Sequence, residues 1–160
     1  MNKTAIYPGT FDPVTNGHVD LIKRGLAIFD RVIVSVAPSP KKAPLFSAAE
    51  RVEMIIEATA DLKGVEVEVF EGLLVDHVLA KDAGVVIRGL RAVSDFEYEL
   101  QMALMNRRLS SKVETVFMMP SEEYSYLTST VIKEVAGYGG DVVGLVPDCV
   151  IPRLEKRFGK

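Results

Sequence analysis

The sequence predicts an α/β fold, a doubly wound five-stranded parallel sheet, on three observations. Strand-type runs alternate with helix-type periodicity along all 160 residues. Several of the strands are unbroken apolar runs, such as Val32-Ile33-Val34-Ser35-Val36 and Val85-Val86-Ile87, which suits parallel strands covered on both faces. No internal repeat, low-complexity tract or linker breaks the alternation, so one domain over residues 1–160 is expected.

The elements follow in order. A first strand is expected over Thr4 to Tyr7, with Pro8-Gly9 turning the chain after it. Val19, Ile22, Leu26 and Phe29 then make one helical stripe, followed by a strand from Arg31 to Ala37. A second stripe, Val52, Ile55, Ile56 and Leu62, begins at Ser47-Ala48-Ala49-Glu50, a capping box in which Ser47 and Glu50 each satisfy a first-turn backbone N–H. Further strands are expected over Val65 to Phe70, Gly84 to Ile87 and Val113 to Met118. Helices are expected over Leu73 to Ala83, Val93 to Leu109, Ser129 to Ala136 with its stop at Gly137, and Val150 to Phe158. In open sheets of this class, ligands bind outside the carboxyl ends of the strands.

The helix from Val93 to Leu109 is apolar on two sides, Phe96, Leu100, Ala103 and Leu104 on one and Tyr98, Met102, Met105 and Leu109 almost opposite. One side is expected to meet the sheet. The Met-rich side is either a subunit contact or lies against another element of the same chain.

Composition excludes several classes of protein. With 48% hydrophobic and 26% charged residues the chain is built to bury a core, and a net charge of −3 argues against a protein that coats nucleic acid. A single cysteine, Cys149, excludes an internal disulfide and any cysteine-based zinc site, in keeping with a reducing compartment. No apolar run approaches the roughly 18 residues of a membrane span, and the start of the chain lacks an apolar signal region. A soluble, cytoplasmic protein with no membrane partner is expected.

The first strand-to-helix turn carries the strongest chemical signal. In Gly9-Thr10-Phe11-Asp12-Pro13-Val14-Thr15-Asn16-Gly17-His18, Gly17 permits close approach, and the unbonded N–H groups at the helix start suit a phosphate. His18 is placed either to donate to phosphoryl oxygens or simply to cap the helix. The stretch is neither a Walker A loop nor a Gly-x-Gly-x-x-Gly fingerprint. The other histidine, His77, sits among Val75, Val78 and Leu79 and reads as structural.

Three more loops fall at the same sheet edge. Arg88-Gly89-Leu90-Arg91 follows the fourth strand, and Arg suits bidentate phosphate contacts. Asp95 and Glu99, one helical turn apart, either pair with these arginines or approach ribose hydroxyls and magnesium-bound water. Pro38-Ser39-Pro40-Lys41-Lys42-Ala43-Pro44 is a stiff loop whose Lys42 is either solvated or a phosphate contact. Tyr124-Ser125-Tyr126-Leu127-Thr128-Ser129-Thr130 places hydroxyls at a helix start, where they either cap it or bind phosphate. The four loops supply phosphate donors and no nucleophile, base and carboxylate set.

Taken together, Tyr7-Pro8-Gly9-Thr10-Phe11-Asp12-Pro13, Thr15-Asn16-Gly17-His18, Ile87-Arg88-Gly89-Leu90-Arg91, Asp95-Phe96-Glu97-Tyr98-Glu99 and the hydroxyl-rich run before Val131-Ile132-Lys133-Glu134 closely resemble the bacterial phosphopantetheine adenylyltransferases of the nucleotidylyltransferase superfamily. The likeness covers nearly the whole chain and implies a Rossmann-like nucleotidylyltransferase fold. It implies transfer of AMP from ATP to 4'-phosphopantetheine, giving dephospho-CoA and pyrophosphate, by direct in-line attack. It implies ATP contacts at Thr10, Phe11, His18, Gly89, Leu90, Arg91, Glu99 and Tyr124 through Thr130, that is Tyr124, Ser125, Tyr126, Leu127, Thr128, Ser129 and Thr130. It places 4'-phosphopantetheine at Thr10, Lys42, Leu74 and Arg88, with His18, Lys42, Arg91 and Thr10 as the catalytic set. Mg2+ is expected, bound mainly through the ATP phosphates and water. A homohexamer, and coenzyme A as an inhibitor, are further expectations from the resemblance. Where the family often carries Trp and Ser-Ser-Ser, this chain has Tyr124 and Thr128-Ser129-Thr130, so the hydroxyl chemistry is kept while the fit around adenine differs. Rival readings are a related adenylyl or cytidylyl transferase with another acceptor, and a non-catalytic nucleotide-binding module, which would have no need of His18.

Overall fold

The computed structural model describes residues 3–38, 43–92 and 96–159. Five strands, β1 (Thr4–Gly9), β2 (Arg31–Val36), β3 (Val65–Val69), β4 (Val85–Gly89) and β5 (Glu114–Met118), form one sheet. The sheet runs β3-β2-β1-β4-β5 with every pairing parallel, so the strand order reverses between β1 and β4. The helices are α1 (Asn16–Leu26), α2 (Ala48–Ala58), α3 (Leu74–Ala80), α4 (Phe96–Leu109), α5 (Ser129–Gly137) and α6 (Ile151–Phe158).

Strand periodicity sorts the core into two unequal layers. Ala5, Tyr7, Val32, Val34, Val36 and Ile87 point to one face, where α1, α2, α5 and α6 supply Ile22, Ile55, Ile132 and Leu154. Ile6, Ile33 and Val86 point to the other face and meet only Val75 and Val78 of α3 with Ala83 and Val113. Each fully buried Ile or Val contributes roughly 1.5–3 kcal/mol relative to leaving it exposed. The smaller layer explains the state of α4. It packs beside α3 and β5, yet Asn106 is its one buried residue, while Phe96, Leu100 and Leu104 on one side and Met105 and Leu109 on the other stay exposed. The expectation that one apolar side is buried against the sheet is therefore corrected. The edge strand β3, Val-Glu-Val-Glu-Val, alternates as a half-covered edge strand does, and its carboxylates are ion-paired, Glu66 with Arg31 at 2.6 Å and the half-buried Glu68 with Lys81 at 2.5 Å.

Two further expectations shift. Pro8 and Gly9 do not turn the chain: they continue β1, opposite Ser35 and Val36, and Ala37 N–H donates to the Gly9 carbonyl at 2.8 Å. The turn falls instead on Phe11, whose φ of 50° is left-handed. The helix expected from Leu73 to Ala83 stops at Ala80, with Asp82 left-handed at φ 51°. His77 serves the fold, its ring stacked on Phe70 at 4.7 Å and its Nε2 set 2.9 Å from the Ser35 hydroxyl and 3.2 Å from Glu68.

The capping box at the start of α2 forms as expected, Ser47 Oγ accepting from Glu50 N–H at 3.2 Å and Glu50 accepting from Ser47 N–H at 2.7 Å. Ser47→Ala should lower the unfolding free energy by about 1 kcal/mol in urea titrations. An unchanged midpoint would show that the cap contributes nothing.

Candidate active site

The carboxyl ends of β1 and β4 lie side by side where the strand order reverses, which is where a crevice opens in a doubly wound sheet. A cavity of about 350 Å³ occupies that place, lined by Thr10, Phe11, Gly17, His18, Arg88, Gly89, Arg91, Glu99, Tyr124 and the stretch Leu127 to Thr130. Of the residues singled out in the sequence, Leu90, Ser125 and Tyr126 do not line it. Leu90 N–H pairs with the Met118 carbonyl at 2.9 Å, and Ser125 Oγ donates to the Glu122 carbonyl at 2.9 Å. Lys42 and Asp95 lie outside the described residues.

The site is organised from the first turn of α1. Thr15 is the N-cap: its Oγ1 accepts from His18 N–H at 3.3 Å, and its own N–H donates to His18 Nδ1 at 2.9 Å. A ring nitrogen that accepts a backbone N–H carries no proton, so the neutral imidazole holds its hydrogen on Nε2. Burial pushes the His18 pKa down, and the neighbouring Arg91 and Arg88 charges push it further, to about 3. His18 is thus an uncharged donor. Capping and facing the cavity, offered as alternatives by the sequence, are two ends of one ring.

The helix start presents less bare backbone than the sequence suggests. Asn16 N–H donates to the Leu145 carbonyl at 2.9 Å and His18 N–H is taken by Thr15, which leaves Gly17 as the first-turn amide with no acceptor among the described residues. The start of α5 adds two more. Thr128 Oγ1 caps Val131 N–H at 3.1 Å and Ser129 Oγ donates to the Pro13 carbonyl at 2.7 Å, while the Ser129 and Thr130 amides have no acceptor among the described residues. The Ser129 hydroxyl proton is therefore spent on the protein, while Thr128, which accepts in its cap, keeps its O–H as a donor. The N–H groups of Gly17, Ser129 and Thr130 are thus helix-start donors at the cavity wall.

Arg88 enters from β4 and makes a fork on Glu99, with Nε at 2.8 Å and Nη2 at 2.5 Å, while Nη1 reaches the Pro8 carbonyl at 3.1 Å. Burial opposes the Arg88 charge, but the Glu99 carboxylate more than offsets it and leaves the guanidinium above its ordinary pKa. Arg91 donates to the Leu127 carbonyl at 3.1 Å, tying the β4 turn to the segment before α5.

A second cavity of about 230 Å³ shares Pro8, Gly9, Thr10, Arg88 and Glu99 with the first and extends along α4. Leu74, Tyr98, Met102 and Asn106 line it, the last three spaced four residues apart on one helix face. The Met-rich side of α4 thus forms a cavity wall at Tyr98 and Met102, a role the sequence reading did not assign. Asn106 was missed as well. Its signal was a lone amide within the otherwise apolar Met102, Met105 and Leu109 side of the helix.

Comparison with known proteins bears on the family and the fold. Residues 6–135 match the cytidylyltransferase-like family. Curated relatives named phosphopantetheine adenylyltransferase include one from Thermodesulfovibrio yellowstonii, 57% identical with 100% of each chain covered. Another, from Nitratidesulfovibrio vulgaris, is 58% identical over 98% of this chain and 84% of its own. One from Clostridium novyi is 56% identical over 99% and 98%. Among solved structures, a chain from Vibrio parahaemolyticus assigned as a nicotinate-nucleotide adenylyltransferase superposes with a TM-score of 0.71 at 17% identity, over 98% of this chain and 93% of that one. This last likeness concerns the fold alone.

The His18 assignment is open to direct measurement. Long-range ¹⁵N–¹H spectra of the folded protein should show the Nε2–H tautomer, unprotonated from pH 8 down to pH 5, since about 3 lies well below the ordinary 6.5. Between those two values the unfolded chain binds more protons than the folded one. The stability tied to His18 is complete above about pH 6.5 and declines as pH falls toward 3. A ring that titrates near 6.5 in the folded state would refute the assignment.

Proposed function

This chain belongs to the phosphopantetheine adenylyltransferases of the cytidylyltransferase-like family, and we propose that its two joined cavities hold ATP and 4'-phosphopantetheine for direct, in-line adenylyl transfer. The observation that carries this reading is His18, its Nδ1 taken by the Thr15 N–H, at the wall of a cavity that also holds two arginines and the first-turn amides of α1 and α5. In this reaction an oxygen of the acceptor phosphate forms a bond to the α-phosphorus of ATP. The bond from that phosphorus to the bridging oxygen breaks, and pyrophosphate leaves with the electron pair. A phosphate monoester is largely ionised at neutral pH and needs no strong base. The work left to the protein is orientation and charge stabilisation.

Each residue then has a definite task. The His18 Nε2–H donates to the α-phosphate oxygens as negative charge grows there, and Arg91 neutralises the phosphate chain. The amides of Gly17, Ser129 and Thr130 receive phosphate oxygens, while Phe11, Gly89, Tyr124, Leu127 and Thr128 shape the nucleotide's side of the cavity. Thr10, shared by the two cavities, orients the acceptor phosphate between them. The acceptor's arm follows Leu74, Tyr98 and Met102, and the Asn106 amide suits the arm's own amide groups. By family resemblance Lys42 also reaches the acceptor phosphate.

Arg88 is the acceptor's anchor, but its fork is occupied by Glu99, so an arriving phosphate must displace or share that carboxylate. Glu99 freed in this way would turn to the ribose hydroxyls, coupling the two substrates. The donor set for Mg2+ is meagre: among the described residues no cluster of three acidic, His or Cys side chains forms, and Glu99, the carboxylate at the cavity wall, is held by Arg88. The site fits an ion carried on the nucleotide's phosphates and water, where it supplies charge neutralisation of the leaving group. The exposed Phe96, Leu100 and Leu104 side of α4 is a subunit contact in this reading, consistent with the hexamer expected from the family.

Pyrophosphate release from ATP should appear with 4'-phosphopantetheine and be absent with nicotinate mononucleotide or other phosphate acceptors. Release without that preference would overturn the acceptor assignment. His18→Ala should lower kcat by on the order of a hundredfold with ATP affinity little changed, the mark of a contact made in the transition state. A normal rate would remove His18 from the chemistry. Light scattering at micromolar concentration should find an oligomer, and Leu100→Glu with Leu104→Glu should convert it to monomer. A parent protein that is monomeric at that concentration would exclude the α4 contact.

A further inference from the structure

Arg51 lies on α2, lines neither cavity, and is only 2% exposed. Among the described residues no carboxylate comes within ion-pair distance of it. Its guanidinium is spent on three carbonyls from three separate segments: Nη1 donates to Thr10 at 2.7 Å and Ala37 at 2.9 Å, and Nε donates to Phe46 at 3.1 Å. Burial pulls its pKa down, while the more distant Asp12 carboxylate supports the charge. A well-packed apolar side chain would hold α2 against the sheet with less desolvation, so mere packing does not account for a buried cation here.

Asp12 is the counterpart. Its carboxylate, 3% exposed, accepts from Leu45 N–H and Phe46 N–H, each at 2.9 Å, and from Lys133 Nζ of α5 at 3.0 Å. Between Thr10 and Asp12 stands Phe11, a bulky L residue with a left-handed φ of 50° and 3% exposure. Side chains of this kind adopt that conformation only where the surroundings over-determine it. The surroundings here are Arg51 on the carbonyl before Phe11 and the Asp12 network immediately after it.

The left-handed turn decides where the Phe11 ring goes. The ring stands edge-on to Tyr7 at 5.3 Å and edge-on to His18 at 4.9 Å, closing one side of the imidazole from water. We propose that Arg51 and Asp12 are positioning residues for adenylyl transfer: the two clasp the Phe11 turn from both sides and so fix the ring that packs on His18 and the hydroxyl of Thr10. The inference rests on the roles given above to His18 and Thr10. Neither Arg51 nor Asp12 touches the reacting phosphates. Lys133 extends the clasp to α5, whose first-turn amides face the nucleotide, so the acceptor-side and nucleotide-side walls are referenced to one carboxylate.

Arg51→Lys keeps the charge but replaces the fork with a single nitrogen that cannot span three carbonyls, and Asp12→Asn keeps the shape but weakens the hold on Leu45, Phe46 and Lys133. Each variant is taken through a thermal melt, steady-state kinetics with ATP and 4'-phosphopantetheine, and the ¹⁵N spectrum of the ligand-free imidazoles. In whichever variant stays folded at the assay temperature, kcat should fall at least about tenfold, as misplacement of reacting groups requires. In the same variant the His18 signals should move and its pKa should rise from about 3 toward 6.5 as the ring loses its Phe11 cover. A folded variant with unmoved His18 signals overturns the proposal whatever its rate, and so does one with the parent's kcat. If the parent protein itself gives no acceptor-dependent release, the functional reading fails, and the imidazole spectra still decide whether the clasp exists.

Discussion

Thr15 and His18 exchange two hydrogen bonds across the first turn of α1, and the chemistry available at the sheet edge follows from which residue stands at the third helical position. A capping box ordinarily places Glu or Gln there to take the N-cap N–H. Glu would cap as well as His but would set a negative charge where, in the proposed reading, a polyphosphate lies. Lys or Arg would suit the phosphate but has no acceptor to offer Thr15. Gln could cap without charge, though on a longer chain with more torsional freedom to lose. A neutral imidazole accepts on one nitrogen and donates on the other, so in the proposed reading local helix stability and anion recognition are met by one rigid ring.

The electrostatics of the site depend on that neutrality. Arg88 and Arg91 both bear on His18 and lower its proton affinity, and burial does so more strongly than either. The same two guanidiniums favour the ionised form of Tyr7, yet burial prevails and keeps that phenol above its ordinary pKa. Among the described residues that line the cavity the charged cations are therefore Arg88 and Arg91, with His18 and Tyr7 supplying dipoles. The overall charge of −3 says nothing about this local balance, because charge is sorted by position within the fold. Arg88 is moreover compensated by Glu99, so in the proposed reading the full field of its guanidinium is developed when a phosphate takes the carboxylate's place.

Much of the architecture was legible because parallel strands and amphipathic helices have different periods. The runs Val32 to Val36 and Val85 to Ile87 became central strands, and the Ser47 to Glu50 box fixed the start of α2. The place of the first cavity was legible too, since Gly9 to His18 and Arg88 to Arg91 both flank strands that topology places side by side. What escaped was set by tertiary contact. Pro8 and Gly9 carry turn propensity, but pairing with Ser35 and Val36 holds them in the strand and moves the bend to Phe11, a residue type for which no sequence rule predicts a left-handed φ. Arg51 was not singled out in the sequence, and only the convergence of three carbonyls reveals why it is buried. Asn106 looked like one polar position in a two-sided helix until the cavity gave its face a purpose.

The two layers over the sheet are unequal, and the inequality bears on the acceptor site. One face is closed by four helices, whereas the other has the seven residues of α3 and a fourth helix that buries only Asn106. A helix held so lightly is an uncertain wall, yet Tyr98, Met102 and Asn106 of α4 form the side of the second cavity, and Glu99 on the same helix holds Arg88. Phe96, Leu100 and Leu104 stay exposed beside them. In the proposed reading, burial of that second side by a neighbouring subunit supplies the packing the monomer lacks. The acceptor's wall and the subunit contact are then two sides of one helix, and rigidity gained on one side is transmitted to the other.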